Sequence, residues 1–296
     1  MAILFLNESV ASAEDLGRHA PHAEPSAATA ARPQSIAPPS LGEKVVFIGN
    51  GLAERDIYYS HLETELYLRF PDKNLIIRNM GRPGDTPGFR PHPSRISQWA
   101  FPGADRFHPD KTKHSGQGFF PTPDQWLTHL KADTIVAFFG YNESFDGPDR
   151  VANFESELDA FTVHTLSKAY NGSAAPRLIL VSPIAFENQS SLRDLPNGKR
   201  ENENLTLYVA AVKRVATKHS LTFKDLFKPS LDHYAKAKEP FTTHGFIPTQ
   251  TGYRILGEWL ASGIYGPSPK VSKADPANLL AAVQQKNGSG ITTTTF

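Results

Sequence analysis

The chain contains no cysteine, which excludes disulfides, thiolate catalysis and cysteine-ligated zinc or iron–sulfur centres. It has no run approaching the roughly eighteen apolar residues that a membrane span requires, so no span is expected. It also lacks an excess of either charge, with 31 Lys plus Arg against 30 Asp plus Glu. There is no global basic field to attract nucleic acid, and none is expected as a partner. Compartment stays open between exported or periplasmic and cytoplasmic. Residues 2–6, Ala-Ile-Leu-Phe-Leu, with Ala11-Ser12-Ala13 behind them, resemble the end of a signal peptide, but the stretch is short and no basic residue precedes it.

What is present supports a true core: 296 residues, 39% hydrophobic and 10% aromatic, enough for one sizeable α/β domain with extensions. Residues 1–41 are rich in Ala, Pro, Ser and His without a sustained period, and read as a flexible N-terminal segment. From Lys44 onward short apolar segments alternate with helical periods. Candidate strands are Lys44–Ile48, Leu75–Arg78, Thr134–Phe139, Leu178–Val181 and Leu221–Lys224. Between them, Tyr58, Leu62, Leu66 and Phe70 form one helical stripe, Phe154, Leu158, Phe161 and Thr165 a second, and Leu205, Tyr208, Val212 and Val215 a third. Such alternation predicts a mostly parallel sheet with helices on both faces.

Residues 82–124 break this rhythm with a proline- and glycine-rich stretch. A loop of that length in a compact domain is commonly functional or an interaction surface, here a candidate for a protein partner. Its histidines His92, His108 and His114, with Asp105 and Asp110, lack close, regular ligand spacing, so no metal is expected, and no cofactor either. Arg82, Arg90 and Arg95 read as a solvated basic loop. A domain over 42–266 is followed by a C-terminal extension, 267–296. The extension should hold a short helix with Asp275 as N-cap, Pro276 in its first turn and Gly288 past its end. The tail after it should be unstructured.

Four segments at strand ends carry the chemistry: Gly49-Asn50-Gly51 with Leu52-Ala53-Glu54-Arg55, Asn79-Met80-Gly81, Gly140-Tyr141-Asn142-Glu143, and His244-Gly245-Phe246-Ile247-Pro248 before Gly252-Tyr253. In an open α/β sheet the carboxyl ends of the strands bound the ligand crevice, so the four should converge. In order and interval they resemble the four signature blocks of the SGNH/GDSL hydrolase superfamily, over roughly residues 44–263. The wording Phe-Ile-Gly-Asn50-Gly51 and Gly140-Tyr-Asn142-Glu-Ser-Phe145 is similar to a bacterial, planctomycete-type branch. That branch commonly has Gly-Asn for Gly-Asp but usually keeps a histidine where this chain has Ile247. The resemblance implies a three-layer α/β/α sandwich with a mostly parallel, five-stranded, flavodoxin-like sheet in the order 2-1-3-4-5.

The same resemblance assigns the nucleophile position to Gly51, the general base position to Ile247 and the orienting acid position to His244. Neither glycine nor isoleucine can perform the required step. It also implies that the backbone N–H groups of Gly51 and Gly81 and the side chain of Asn142 form an oxyanion pocket. Ser144, the only hydroxyl close to the frame in sequence, reads as a cap for the helix after this loop rather than as a replacement nucleophile. The expected function is therefore a binding or accessory domain of SGNH fold that takes a small oxyanion or acylated ligand. The alternative is an active ester or acetyl-ester hydrolase in which His244, Glu143 or Asp85 activates water.

Overall fold

The computed structural model describes residues 37–92, 95, 97–111 and 118–293. Most of the N-terminal segment expected to be flexible lies outside the described residues, as do His114 and residues 294–296. Five strands follow in chain order: β1 (Lys44–Gly49), β2 (Ile76–Asn79), β3 (Thr134–Phe138), β4 (Arg177–Val181) and β5 (Thr222–Lys224). All pair in parallel, in the order β2-β1-β3-β4-β5. Gly49 of β1 is level with Phe138 of β3, and Phe138 with Val181 of β4, so the central strands end together.

Among the described residues eight α-helices accompany them: α1 (Gly51–Tyr59), α2 (His61–Arg69), α3 (Pro123–Leu130), α4 (Val151–Leu166), α5 (Lys199–Lys218), α6 (Phe227–Tyr234), α7 (Gln250–Tyr265) and α8 (Pro276–Thr293). Alternation along β1 sets the layers. Val45 and Phe47 pack with Leu62 and Leu66 of α2 and Leu256 and Leu260 of α7. Val46 and Ile48 face the other way, toward Leu158 of α4 and Tyr208 and Val212 of α5. Each fully buried leucine of this kind contributes about 1.5–3 kcal/mol. The fold is the expected three-layer α/β/α arrangement.

The first helical stripe is not one helix. Ser60 adopts the left-handed region, φ 56°, and divides α1 from α2. The cause is a side chain: the buried carboxylate of Asp56 accepts from the His61 amide, the first of α2, at 3.2 Å. Leu62 and Leu66 remain in the core, while Tyr58, on the α1 side of the break, is 54% exposed.

The reading of the 82–124 loop as a solvated basic surface is corrected. Arg90 and Arg95 are buried. Arg90 pairs with Asp85 at 3.0 Å. Arg95 donates to the carbonyls of Pro121 and Arg90, both at 3.1 Å, and shares the Phe120 ring with Arg82. A guanidinium satisfies carbonyls and aromatic faces together, which lets it serve as an internal strut. The loop is further tied to α4: Glu157 Oε1 accepts from Gly88 N at 2.7 Å and from Thr86 Oγ1 at 2.9 Å, with His108 Nε2 at 2.6 Å.

At the C-terminal end, Asp275 caps α8 as expected, accepting from Asn278 N at 3.0 Å. The helix then runs through Gly288 to Thr293, which corrects both the expected stop and the unstructured tail up to that residue. Its hold on α2 explains the persistence. Lys286 pairs with Glu63, Asn287 Nδ2 donates to Ser60 Oγ at 2.9 Å, and Val283 is buried. Among the described residues no helix is long and apolar enough to cross a membrane.

Candidate functional site

The turn from β1 into α1 builds one wall of a crevice. Asn50 is buried; its amide donates to the Phe138 carbonyl at 3.1 Å, and its Oδ1 accepts from Leu52 N at 3.1 Å. Its side chain is thereby used as the N-cap of α1. Gly51 opens the helix, so its N–H is one of the first-turn donors without an intrahelical acceptor. A Cβ built at Gly51 would meet nothing within 4 Å. The backbone there accepts a side chain; the chain simply has none.

Gly81 is the opposite case. A Cβ there would lie 2.5 Å from the Glu54 amide nitrogen and 2.9 Å from Ala53, so glycine is dictated by the close approach of β2's end to α1. Its N–H, expected to face the ligand, instead donates to Asn79 Oδ1 at 2.8 Å, and Asn79 Nδ2 donates to the Ala53 carbonyl at 2.6 Å. Gly81 does not line the cavity. The assignment of a free donor at Gly81 is corrected: a local Asx-type bond has taken the hydrogen.

After β3, Asn142 Nδ2 donates to the Asp85 carbonyl at 2.9 Å, which fixes the amide and leaves its second N–H for the cavity it lines. Ser144 Oγ donates to the Tyr141 carbonyl at 2.7 Å, a bond within the turn after β3 that caps no helix, which corrects the expected capping role. Glu143 turns inward. Its Oε2 accepts from Gly140 N at 2.8 Å, while its buried Oε1 has no partner. Burial, reinforced by the nearby Glu157, pushes its carboxyl up to about 8. Asp85 is buried as well, and burial pushes it up to about 7 against the pull of Arg90, Arg82 and Arg95. Neither carboxyl lines the crevice.

The fourth segment is a turn before α7, closed by Thr243 N to the Ile247 carbonyl at 2.7 Å. Glu187 anchors its root, accepting from Phe241 N at 2.9 Å and Thr242 N at 2.7 Å. This presents Ile247 and Phe246 to the cavity and leaves His244 exposed outside its lining. As substitute catalytic groups, His244, Glu143 and Asp85 are therefore not brought together at the crevice.

The cavity has a volume of about 130 Å³. Its polar lining includes Gly51, Asn142 and Arg55, and its apolar lining Tyr141, Phe246 and Ile247 among others. Among the described residues its lining holds one cation, Arg55, and neither carboxylate nor imidazole. The Arg55 Nε lies 3.4 Å from Glu54 Oε2. The positive end of the α1 dipole adds to the same field. Ser182, at the end of β4, contributes a hydroxyl to the lining, but it accepts from Leu226 N at 2.8 Å and Phe227 N at 3.3 Å and so caps the start of α6. Sequence reasoning missed Arg55, Ser182 and Phe246. Their signal was position: one turn into the first helix, at a strand's carboxyl end, and beside Ile247.

Comparison with solved structures matches the fold. An α/β hydrolase enzyme from the metagenome of Lake Arreo, Spain, superposes with a TM-score of 0.52 at 18% identity, over 77% of this chain and 98% of that one. A catalytic mutant of an acetylxylan esterase from Geobacillus stearothermophilus gives 0.53 at 16%, over 78% and 100%. A lipase/acylhydrolase from Enterococcus faecalis gives 0.50 at 20%, over 78% and 99%. The fold is that of the SGNH/GDSL hydrolases. No protein-family model and no curated protein matches the chain. At these identities the SGNH/GDSL likeness is one of fold, and the chemistry rests on the residues in the crevice.

Proposed function

We propose that this SGNH/GDSL-fold protein binds the carboxylate of a small, apolar-tailed acid or acyl group in its crevice and does not hydrolyse it. One observation carries the reading: Ile247, where the family resemblance would put the base, lines the same cavity as Gly51, which has no side chain. A hydrolase of this fold needs a hydroxyl there and an imidazole within reach of it. The polar lining still offers an N–H at Gly51, a second N–H on Asn142 and the Arg55 charge. Those groups suit an oxyanion in its ground state, each charge-assisted bond contributing about 1.5–3 kcal/mol. The aromatic and aliphatic walls suit a short hydrocarbon tail.

The test is reaction with a serine-directed alkyl phosphonate, followed by intact mass. The unmodified chain is expected to take no label, and its ester turnover to stay within the roughly 10³–10⁴-fold background of an oxyanion hole alone. Because the Gly51 backbone accepts a Cβ, the double variant Gly51→Ser/Ile247→His is expected to label slowly. Stoichiometric labelling of the unmodified chain overturns the proposal in favour of an active hydrolase.

A further inference from the structure

The crevice is small. Its volume of about 130 Å³ is a little less than the roughly 150 Å³ of an apolar cavity that holds one benzene, so about six heavy atoms fill it. A carboxylate with three further carbons uses that space. Anything attached beyond must emerge at the mouth.

A row of aromatic rings starts in the crevice and leaves it. Phe246 and Tyr141 both line the cavity and stack on each other, with ring centroids 5.2 Å apart and planes 19° from parallel. The ring of Phe145 meets Tyr141 at 5.4 Å and 85°, does not line the cavity, and is 67% exposed. The turn after β3 sets its place. The Phe145 amide donates to the Asn142 carbonyl at 3.4 Å, and the Ser144 hydroxyl to the Tyr141 carbonyl at 2.7 Å. The outermost ring is therefore carried by the same turn as Asn142, whose side chain faces the crevice. A single exposed apolar side chain needs no explanation, but this one continues an apolar wall.

Glu201 lies near enough to oppose the ionisation of Tyr141, and Asp146 is exposed directly after Phe145. A second carboxylate at the far end of a ligand would be repelled by both. An ammonium over an exposed ring gains only about two- to fivefold in affinity. A neutral aromatic ring covers the apolar surface of Phe145 and adds the edge or offset contact of an aromatic pair. We propose that the crevice ligand is an aryl-terminated short-chain carboxylate, its ring packed on Phe145 and Tyr141 at the mouth, with Phe145 as the specificity-determining residue. The proposal rests on the reading of the crevice as a carboxylate site.

The test is a set of dissociation constants for butyrate, octanoate, 4-phenylbutyrate and 6-aminohexanoate, measured by ¹H–¹⁵N titration of the full chain. 4-Phenylbutyrate is expected to bind about two- to tenfold more tightly than octanoate, the value of one aromatic pair. It should also shift the Phe145 backbone amide, which butyrate should leave unmoved. Phe145→Ala should bring 4-phenylbutyrate down to the affinity of octanoate, and Phe145→Trp should restore the preference. Saturable butyrate shifts at Gly51 and Asn142, with 4-phenylbutyrate no tighter than octanoate, overturn this proposal and leave the carboxylate reading standing. A preference that survives in Phe145→Ala does the same, as does tighter binding of 6-aminohexanoate, which assigns the row to a cation. Binding of none of the four acids overturns the proposal and the carboxylate reading together.

Discussion

Replacing Glu143 by glutamine isolates a proton that the folded chain should hold near neutrality. Glu143 is buried, satisfied at Oε2 by Gly140 N and unpaired at Oε1. Burial first, then Glu157 and Asp146, push it from 4.5 up to about 8. The raised folded value fixes the sign. Stability from this group is complete below the unfolded value, falls as pH rises through the interval, and is lost above about 8. One proton difference corresponds to a slope of about 1.4 kcal/mol per pH unit, or about 4 kcal/mol from pH 5 to pH 8 as an upper bound. Asp56, also pushed up to about 8 by burial, and Asp85, up to about 7, add slopes of the same sign. The informative quantity is therefore the difference between wild type and Glu143→Gln, which leaves those groups in place. Urea unfolding at fixed ionic strength across that pH range should show the variant's stability declining less steeply, by about 1.4 kcal/mol per unit. Parallel curves would mean that Glu143 is ionised in the folded state and that its burial is not what the geometry implies.

The two crevice glycines should respond oppositely to alanine. Gly51→Ala, in a helical position open for a Cβ, should raise stability by up to about 1 kcal/mol in thermal or urea unfolding, whereas Gly81→Ala should lower it by about 1–3 kcal/mol through overpacking on α1. Asn50→Ala removes the N-cap of α1 and should cost about 0.5–2 kcal/mol, with accelerated amide exchange confined to that helix's first turn.

The fold was legible because its strongest local signals agree. The run Val45–Ile48 is apolar and buried on both faces, and the stripe at Leu205, Tyr208, Val212 and Val215 is uninterrupted and wholly in the core. Failures came where a polar side chain competed with periodicity. Asp56 holds the first amide of α2 from within α1, so the evenly spaced residues Tyr58 to Phe70 are divided, with Tyr58 in α1, Leu62 and Leu66 in α2 and Phe70 at the C-cap of α2. Helix α8 outlasts Gly288 because Lys286 and Asn287 bind α2, a tertiary hold that no local signal carries.

The site was legible in part for the same reason. The positions of Gly51, Asn142 and Ile247 around one cavity follow from the strand ends. The capture of the Gly81 hydrogen by Asn79, two residues earlier, is the kind of bond an Asn-x-Gly triplet advertises, and the family pattern masked it. Burial of Arg90 and Arg95 was hidden because their partners, Asp85 and the Pro121 carbonyl, are set by the path of a long loop. His244 was misleading for a simpler reason: in the turn closed by Thr243 N and the Ile247 carbonyl it is left exposed, while the consecutive Phe246 and Ile247 line the cavity.

The central proposal is that the crevice keeps the Gly51 and Asn142 donors and binds an oxyanion without hydrolysing it, and a titration of the unmodified chain with butyrate, read in ¹H–¹⁵N and ¹H–¹³C methyl spectra, tests it most directly. The Gly51 backbone amide and the Asn142 side-chain amide should shift together and saturably, with Ile247 methyl signals following as the tail settles. Asn142→Ala should weaken the binding by about ten- to a hundredfold. Shifts that leave Gly51 and Asn142 unmoved, or no saturable shift at all, would contradict the account.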